Sequence, residues 1–345
     1  MHCTGFSCRP SLLPAMTTAT LDLTRWAERP RGVAYRRWVI TSTGLRQLFR
    51  TRFFRISLFL AWFAGVVLAA AGFVFGQSIT EGGWLETFAA NLGARPSAVV
   101  SAFCAFVLLY PEIVVQGLFT FLFWAHSFIG LLLSLVCLTA LVPRLVTRDR
   151  ASHALTIYLA RPLTSGDYLL GKFGIIVGLL LLLWTGPLLF AWFLSVLLAP
   201  DRIFIVHSLA PLGRALAFNG IALLVLAAIA FGVSSVTRTA RSATLLWIGL
   251  WIVFSMLSNM PVMPTWIRHA SFSHDLEVVR DAVFELDNAL IEAGQSLPFL
   301  NRQFADSLQE AGARARPKEL PAAVLGLGVL VTASLLVFFR RLKPE

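Results

Sequence analysis

Residues 166–172 (GDYLLGK) are the first candidate for chemistry, because their glycine and lysine spacing matches a loop that binds nucleotide phosphates. Phe173 stands where such a loop needs a Ser or Thr to ligate magnesium. No apolar strand precedes the motif, and the residues that follow it are apolar over the length of a membrane helix. We therefore predict that this segment is not a nucleotide site.

Hydrolytic and metal chemistry have no better candidate. Ser273, His274 and Asp275 are consecutive, so a helix would point them in different directions instead of assembling a triad. Cys104 and Cys137 lie far apart in apolar segments, which is typical of small buried side chains and not of a metal site or a disulfide. We predict no catalytic residue and no metal site.

The composition indicates an integral membrane protein. Hydrophobic residues make up 57% of the 345 residues, charged residues only 14%, and the mean hydropathy is +0.75. The apolar residues form blocks of about 20, the length of a membrane helix. Six blocks cover residues 56–76, 119–142, 173–198, 215–236, 243–258 and 322–339. The sequence therefore predicts an all-α bundle of six transmembrane helices.

The basic residues predict how the bundle is oriented. About 20 of the 29 Lys and Arg residues lie before the first block, in residues 144–172 and 237–242, or after the last block. Because Lys and Arg near membrane ends stay in the cytoplasm, both termini and the 144–172 loop are expected inside, and residues 259–321 outside. We expect a multi-pass protein of the cell inner (plasma) membrane. The net charge of +11 is then a signal of topology, and no aromatic and basic surface suggests nucleic acid.

Three further segments bound the membrane domain. Residues 1–34 lack the apolar core of a signal peptide and include a second plausible start at Met16, so we interpret them as a disordered or mis-assigned leader. Residues 35–55 mix arginines with large apolar residues, which predicts an N-terminal helix in the membrane interface and a domain over 35–345. Residues 98–115 are almost long enough to span, but a seventh span would separate the arginine clusters. We expect an interfacial or re-entrant outer segment there.

The outer segment 259–321 is expected to contain amphipathic helices. Apolar residues recur three and four positions apart after a possible cap at Ser273. They are Leu276, Val279, Val283, Leu286 and Leu290. We predict a helix from His274 to Glu292 whose apolar stripe packs on the mouth of the bundle, with Asp281, Glu285 and Glu292 facing solvent or a partner.

His126 is the one titratable side chain near the middle of a predicted span. Proton-driven carriers place several charged relays at membrane depth, so a self-powered carrier is disfavoured. His126 either lines a pathway or, as the better-supported alternative, bonds to a neighbouring helix.

The loop between the second and third blocks carries a family resemblance. Its features, in order, are an acidic residue in a basic cluster (Arg148, Asp149, Arg150), a short apolar helix (residues 154–159), a proline and polar turn (residues 162–165), and an aromatic-leucine-glycine-lysine start to the next span (residues 168–172). This pattern resembles the first cytoplasmic loop of type-2 ABC transporter permeases (the ABC-2 type). That family usually has Glu in place of Asp149 and Gly-Thr in place of His153 and Ala154. The resemblance extends to the six-span order and the N-terminal helix.

The resemblance implies a permease subunit of an ATP-driven ABC exporter. Such a chain pairs with a second copy or a homologous permease, sits in membrane lipid, and receives mechanical work from a separate ABC ATPase present in two copies. ATP and magnesium then belong to the ATPase, and this chain binds no cofactor. The residues that would meet the ATPase through a coupling helix are Arg148, Asp149, Arg150, Leu155, Ile157, Tyr158, Leu159, Arg161 and Pro162. In the alternative, the loop only determines topology and contacts lipid headgroups.

Two other functions remain open at this point. The chain could be a non-transporting membrane subunit of an ABC-type complex that transmits ATP-driven motion to an outer partner through residues 259–321. A membrane-bound enzyme is less supported, because the loops offer few convergent polar groups. The sequence does not identify a substrate.

Overall fold

The computed structural model describes residues 32–79, 83, 84, 87, 106, 107, 109–147, 149, 164–199, 202–258, 260, 264–288, 291, 310 and 319–341. Every regular element in this part of the chain is helical. The helices are α1 (Val33–Phe49), α2 (Arg52–Ile79), α3 (Pro111–Val142), α4 (Ser165–Leu180), α5 (Gly186–Leu198), α6 (Ile203–Val236), α7 (Ala240–Ile248), α8 (Phe254–Ser258), α9 (Thr265–Arg268), α10 (Phe272–Phe284) and α11 (Leu320–Arg341).

Five helices are long and apolar enough to cross a membrane. They are Arg52–Ser78, Pro111–Thr147, Gly166–Leu198, Ile203–Val236 and Leu320–Arg341. Each coincides with one of the predicted apolar blocks. The remaining block, residues 243–258, lies in a shorter apolar helix, Ala240–Met256. The protein is therefore an all-helical, multi-pass membrane protein over the residues that the structure describes.

Several helices are longer than the apolar blocks that predicted them. α3 begins at Pro111, whose ring suits the first turn of a helix because that turn needs no N–H donor. Residues 111–115 are thus the first turn of α3, which corrects their assignment to a separate outer segment; residues 98–105 lie outside the described residues. α6 likewise continues past Arg214 to Ile203. Hydropathy detects the part of a helix that lies in lipid, not the turns beyond it.

α6 forms the centre of the bundle. α3, α10 and α11 pack against it, and its own side chains are buried along most of its length. Small residues such as Ala222, Ala230 and Gly232 line its buried face, so neighbouring helices approach closely. A second layer is formed by α2 against α5, where Gly65 meets Pro187 and Gly72 meets Ser195.

Short π-helical turns occur at three places in the apolar helices. They are Pro143–Thr147 after α3, Leu181–Thr185 between α4 and α5, and Gly249–Val253 between α7 and α8. The second lies just before Pro187, which has no N–H to donate to the preceding turn. Its backbone oxygens bind side chains instead: the indole N–H of Trp62 donates to Leu182 O at 3.2 Å.

α10 begins and ends at other residues than the helix predicted from His274 to Glu292. It begins at Phe272, with Ser271 as its N-cap instead of Ser273, and ends at Phe284. Leu276 and Val279 are buried, as the apolar stripe requires. Glu292 lies outside the described residues.

Arg214 of α6 stabilises the end of α10. Glu285 follows the last residue of the helix with a φ of 50°, a left-handed conformation that is uncommon for a residue other than glycine. Arg214 donates to Phe284 O at 3.3 Å and to Glu285 Oε2 at 2.6 Å. Asp281 accepts from the indole N–H of Trp124 at 2.9 Å. Asp281 and Glu285 therefore bind the bundle, while their side chains remain 38% and 47% exposed, as expected of a face that meets solvent.

The packing of α3 on the π-helical turn can be tested with a pair of glycines. A Cβ added at Gly130 would lie under 3.0 Å from the buried indole of Trp184, whereas one at Gly117 of the same helix meets nothing within 4 Å. We expect Gly130→Ala to lower the free energy of unfolding by about 1–3 kcal/mol because the ring must shift. Gly117→Ala should be neutral or stabilising by up to about 1 kcal/mol. Thermal unfolding of the two variants in detergent checks this, and equal melting temperatures would contradict the packing.

Candidate functional site

The candidate site lies where the 144–172 loop begins and ends, and Asp149 is its central residue. The carboxylate Oδ2 of Asp149 accepts a hydrogen bond from the Tyr168 hydroxyl at 2.7 Å. The same oxygen lies 2.7 Å from Lys172 Nζ. The Lys172 side chain is only 11% exposed and that of Asp149 only 17%. Tyr168 and Lys172 are four residues apart on α4, so they share one face and reach the same carboxylate. Asp149 therefore joins the start of the loop to the helix that follows it.

Tyr168 is the buried core of this contact. Its side chain is 1% exposed, and its hydroxyl also lies 3.2 Å from Leu145 O in the π-helical turn after α3. The Lys172 ammonium lies 5.5 Å from the centre of the Tyr168 ring. Each of the three polar groups thus has partners, which the low-dielectric surroundings require. We call Asp149, Tyr168 and Lys172 the loop clamp.

A second contact holds the start of α4. Thr164 caps the helix: its hydroxyl accepts from Asp167 N at 3.2 Å, while Asp167 Oδ2 accepts from Thr164 N at 3.3 Å. Asp167 Oδ1 accepts from Arg37 Nε of α1 at 2.9 Å, and the Arg37 NH2 group also contacts it. Asp167 and Lys172, two residues of the phosphate-loop pattern, are therefore engaged in a helix cap and in the loop clamp.

A third contact joins α3 to α6 at the same end of the bundle. The π-helical turn leaves the N–H groups of Val146 and Thr147 close to the Ser234 hydroxyl, which accepts from them at 2.9 and 3.2 Å. The Thr147 hydroxyl donates to Ser234 O at 2.9 Å and lies 3.0 Å from the Thr237 hydroxyl. All of these groups are buried. The residue two positions before Asp149 is thus fixed to α6.

α1 packs closely along α4 through glycines. A side chain at Gly171 would approach Ile40, one at Gly174 would approach Thr41, and one at Gly178 would approach Leu45. The Thr41 hydroxyl donates to Gly171 O at 2.9 Å. Glycines at these positions allow the backbone of α4 to lie against α1, the reason that small residues favour helix association in membranes.

Most of the predicted coupling residues fall outside the described part of the chain. They are Arg148, Arg150, Leu155, Ile157, Tyr158, Leu159, Arg161 and Pro162. Asp149 is described, and its carboxylate is bound within this chain. The partners Arg37, Tyr168, Lys172 and Ser234 were not among the predicted site residues. A capping box at Thr164 and Asp167 was readable from the sequence, whereas contacts between residues 19 to 130 positions apart were not.

His126 is bonded within the bundle. Its side chain is 3% exposed, and its Nε2 lies 3.4 Å from Trp184 O, which belongs to the π-helical turn between α4 and α5. Asn219 of α6 donates to the hydroxyl of Thr185 in that turn at 3.4 Å. This contact matches the alternative in which His126 bonds to a neighbouring helix.

A polar cluster lies around the start of α10, at the other end of the bundle. His269 Nδ1 is 2.6 Å from Asp275 Oδ1, and Asp275 is fully buried against Gly326 of α11. Burial raises the pKa of Asp275, although the hydrogen bond with His269 opposes that shift. The Arg280 guanidinium lies 3.6 Å from the centre of the Phe128 ring. Among the described residues, no group of three or more His, Cys, Asp or Glu side chains is arranged to hold a metal ion.

Comparison with known proteins identifies the family. A family model described as ABC-2 family transporter protein matches residues 128–300, half of the chain, from within α3 to beyond α10. The matched part contains the loop clamp, α6 and the whole 144–172 loop. No curated protein matches the chain.

The loop clamp predicts that Asp149 and Lys172 are energetically coupled. Removing either charge leaves the other charge largely buried and unpaired, so Asp149→Asn and Lys172→Met should each destabilise the protein. The double variant should be destabilised by less than the sum of the two single effects. We expect a coupling energy of about 1–3 kcal/mol in a double-mutant cycle of unfolding in detergent. Arg37→Met with Lys172→Met is the control, since these residues lie in different contacts. Additive effects of Asp149→Asn and Lys172→Met would contradict the clamp.

Proposed function

This chain belongs to the ABC-2 family of transporter proteins and is the membrane permease of an ABC transporter, and we propose that it couples ATP hydrolysis by a separate ATPase subunit to export of a substrate. Residues 150–163 are proposed to carry the coupling helix that docks on the ATPase. The loop clamp is the observation that supports this role, because it ties the loop to the spans on both sides.

The three contacts around the loop are suited to transmit force. Asp149 binds Tyr168 and Lys172 of α4, and Thr147 binds Ser234 of α6. Arg37 and Asp167 add α1 to the same unit. A displacement of residues 150–163 would therefore move α1, α3, α4 and α6 together, as a rigid-body transition requires.

Within the loop, the roles divide by chemistry. Leu155, Ile157, Tyr158 and Leu159 would supply an apolar surface for the ATPase, and Pro162 would end the helix. Arg148, Arg150 and Arg161 would orient that surface. Asp149 would help to orient it as well, and its bonds to Tyr168 and Lys172 within this chain support that role.

The assembly follows from the same proposal. Two ATPase subunits would bind ATP and magnesium, and a second copy of this chain or a homologous permease would complete the pathway. This chain would hydrolyse no nucleotide and bind no cofactor of its own. It would lie in the inner (plasma) membrane with both termini and residues 144–172 in the cytoplasm, since the basic residues are concentrated there.

The orientation can be tested by cysteine labelling. In a variant without native cysteines, Ser152→Cys should react with a membrane-impermeant maleimide only after the cells are permeabilised. Ser296→Cys, in the segment expected outside, is the matched control and should react in intact cells. Labelling of Ser152→Cys in intact cells would overturn both the topology and the coupling role.

The coupling role predicts how charges in the loop affect the complex. Wild-type protein purified from its native host should bring down a nucleotide-binding ATPase. Tyr158→Asp with Leu159→Asp should weaken that complex by about 100-fold or more, because two carboxylates would be buried in an apolar contact. Tyr158→Phe with Leu159→Met keeps the apolar surface and should retain the partner. Quantitative pull-down and ATPase activity measure both, and a tight, fully coupled complex with the two Asp residues would refute the role.

A further inference from the structure

A cleft beside the loop clamp is lined by cationic and apolar side chains together. It has a volume of about 690 Å³ and lies between α1, the end of α3 and the first turns of α4. Its cationic groups are Arg50, Arg144 and Lys172, and its one carboxylate is Asp149. The residues of the loop clamp thus form one wall of the cleft.

The two arginines of the cleft are not neutralised within the described part of the chain. Lys172 forms an ion pair with Asp149 at 2.7 Å, so these two charges neutralise each other. No described Asp or Glu lies within ion-pair distance of Arg50 or Arg144, although Arg144 lies 6.0 Å from the centre of the Phe54 ring. Two guanidinium groups facing one cleft favour an anion with several acceptor oxygens.

The position of the cleft favours a membrane lipid as the source of that anion. Arg50 lies two residues before the first span, Arg52–Ser78, and Arg144 lies in the last turn of the second, Pro111–Thr147. Both are therefore at the height where lipid headgroups lie. Ile175 on the cleft wall is nine residues into the third span, about 14 Å deeper along the helix.

The remaining walls suit an acyl chain. Val39, Leu48, Leu141 and Ile175 give the cleft an apolar side that continues from the cationic rim. α1 also exposes large apolar side chains, among them Trp38, which is 64% exposed. A helix with such a surface lies in the membrane interface, so the cleft opens where lipids have access.

We propose that this cleft binds the phosphate of an anionic phospholipid through Arg50 and Arg144, with the adjoining acyl chain against its apolar wall. The site goes beyond the proposed transport function and does not depend on the ATPase. Because Asp149 and Lys172 border the cleft, a bound lipid would lie directly against the loop clamp and could adjust its stability.

The test compares two double variants of the full-length chain in detergent. Arg50→Gln with Arg144→Gln removes the cleft charges. Arg46→Gln with Arg238→Gln removes two exposed charges that do not line the cleft. Phosphatidylglycerol is titrated into each protein, and bound lipid is counted by native mass spectrometry. We expect the cleft variant to bind at least about tenfold more weakly than the wild type, and the control to bind within about twofold of it.

Two further measurements separate the possible causes. Arg50→Lys with Arg144→Lys keeps the charges, so it should retain most of the affinity and show that lost binding is not misfolding. Inorganic phosphate at millimolar concentration should not displace the lipid if the acyl chain contributes. Equal losses in the two Gln variants would show diffuse attraction and overturn the site. Full competition by inorganic phosphate, or unchanged binding without the cleft arginines, would also overturn it.

Discussion

The carboxylate of Asp149 is the contact on which the rest of this end of the bundle depends. Lys172 lies six residues into the third span, where an unpaired ammonium would be costly. Asp149 offsets that cost at 2.7 Å and also accepts from Tyr168, so one oxygen binds two side chains of α4. Removing one partner of a buried ion pair destabilises a protein far more than the pair itself stabilises it. Separating Asp149 from α4 would therefore cost considerable free energy. Asp149 thereby makes a surface loop part of the helix bundle.

Polar contacts have this importance because lipid gives the helices little other reason to associate. Burying Leu or Phe between helices gains little when the alternative is lipid. The described helices associate through close approach at Gly171, Gly174 and Gly232, and through hydrogen bonds at the helix ends. Ser234 is the clearest case, since its hydroxyl accepts from two backbone N–H groups that the π-helical turn leaves near it. The π-helical turns are thus places where one helix bonds to another.

Hydropathy and charge predicted the membrane class and the approximate positions of five spanning helices, because lipid selects apolar residues directly. They did not predict where helices end. Arg214 looked like a boundary, yet it lies within α6, where Glu285 pairs with it at 2.6 Å. Ser273 was the expected cap of α10, but the fold uses Ser271. The clamp partner Tyr168 belonged to a motif, but its pairing with Asp149 depends on tertiary structure that spacing does not encode.

The two ends of the bundle differ in how completely their polar groups are satisfied. In the loop clamp every charged group has a partner. Around α10, by contrast, the buried atoms Asp275 Oδ2 and one Arg280 nitrogen make no hydrogen bond with the described residues, and His274 Nε2 has only Glu319 Oε2, 3.9 Å away. Each unsatisfied buried group costs about 1–3 kcal/mol, and movement of α10 toward water would relieve that cost. Such costs lower the free energy needed for local opening, so the described groups favour opening around α10 over opening at the loop clamp.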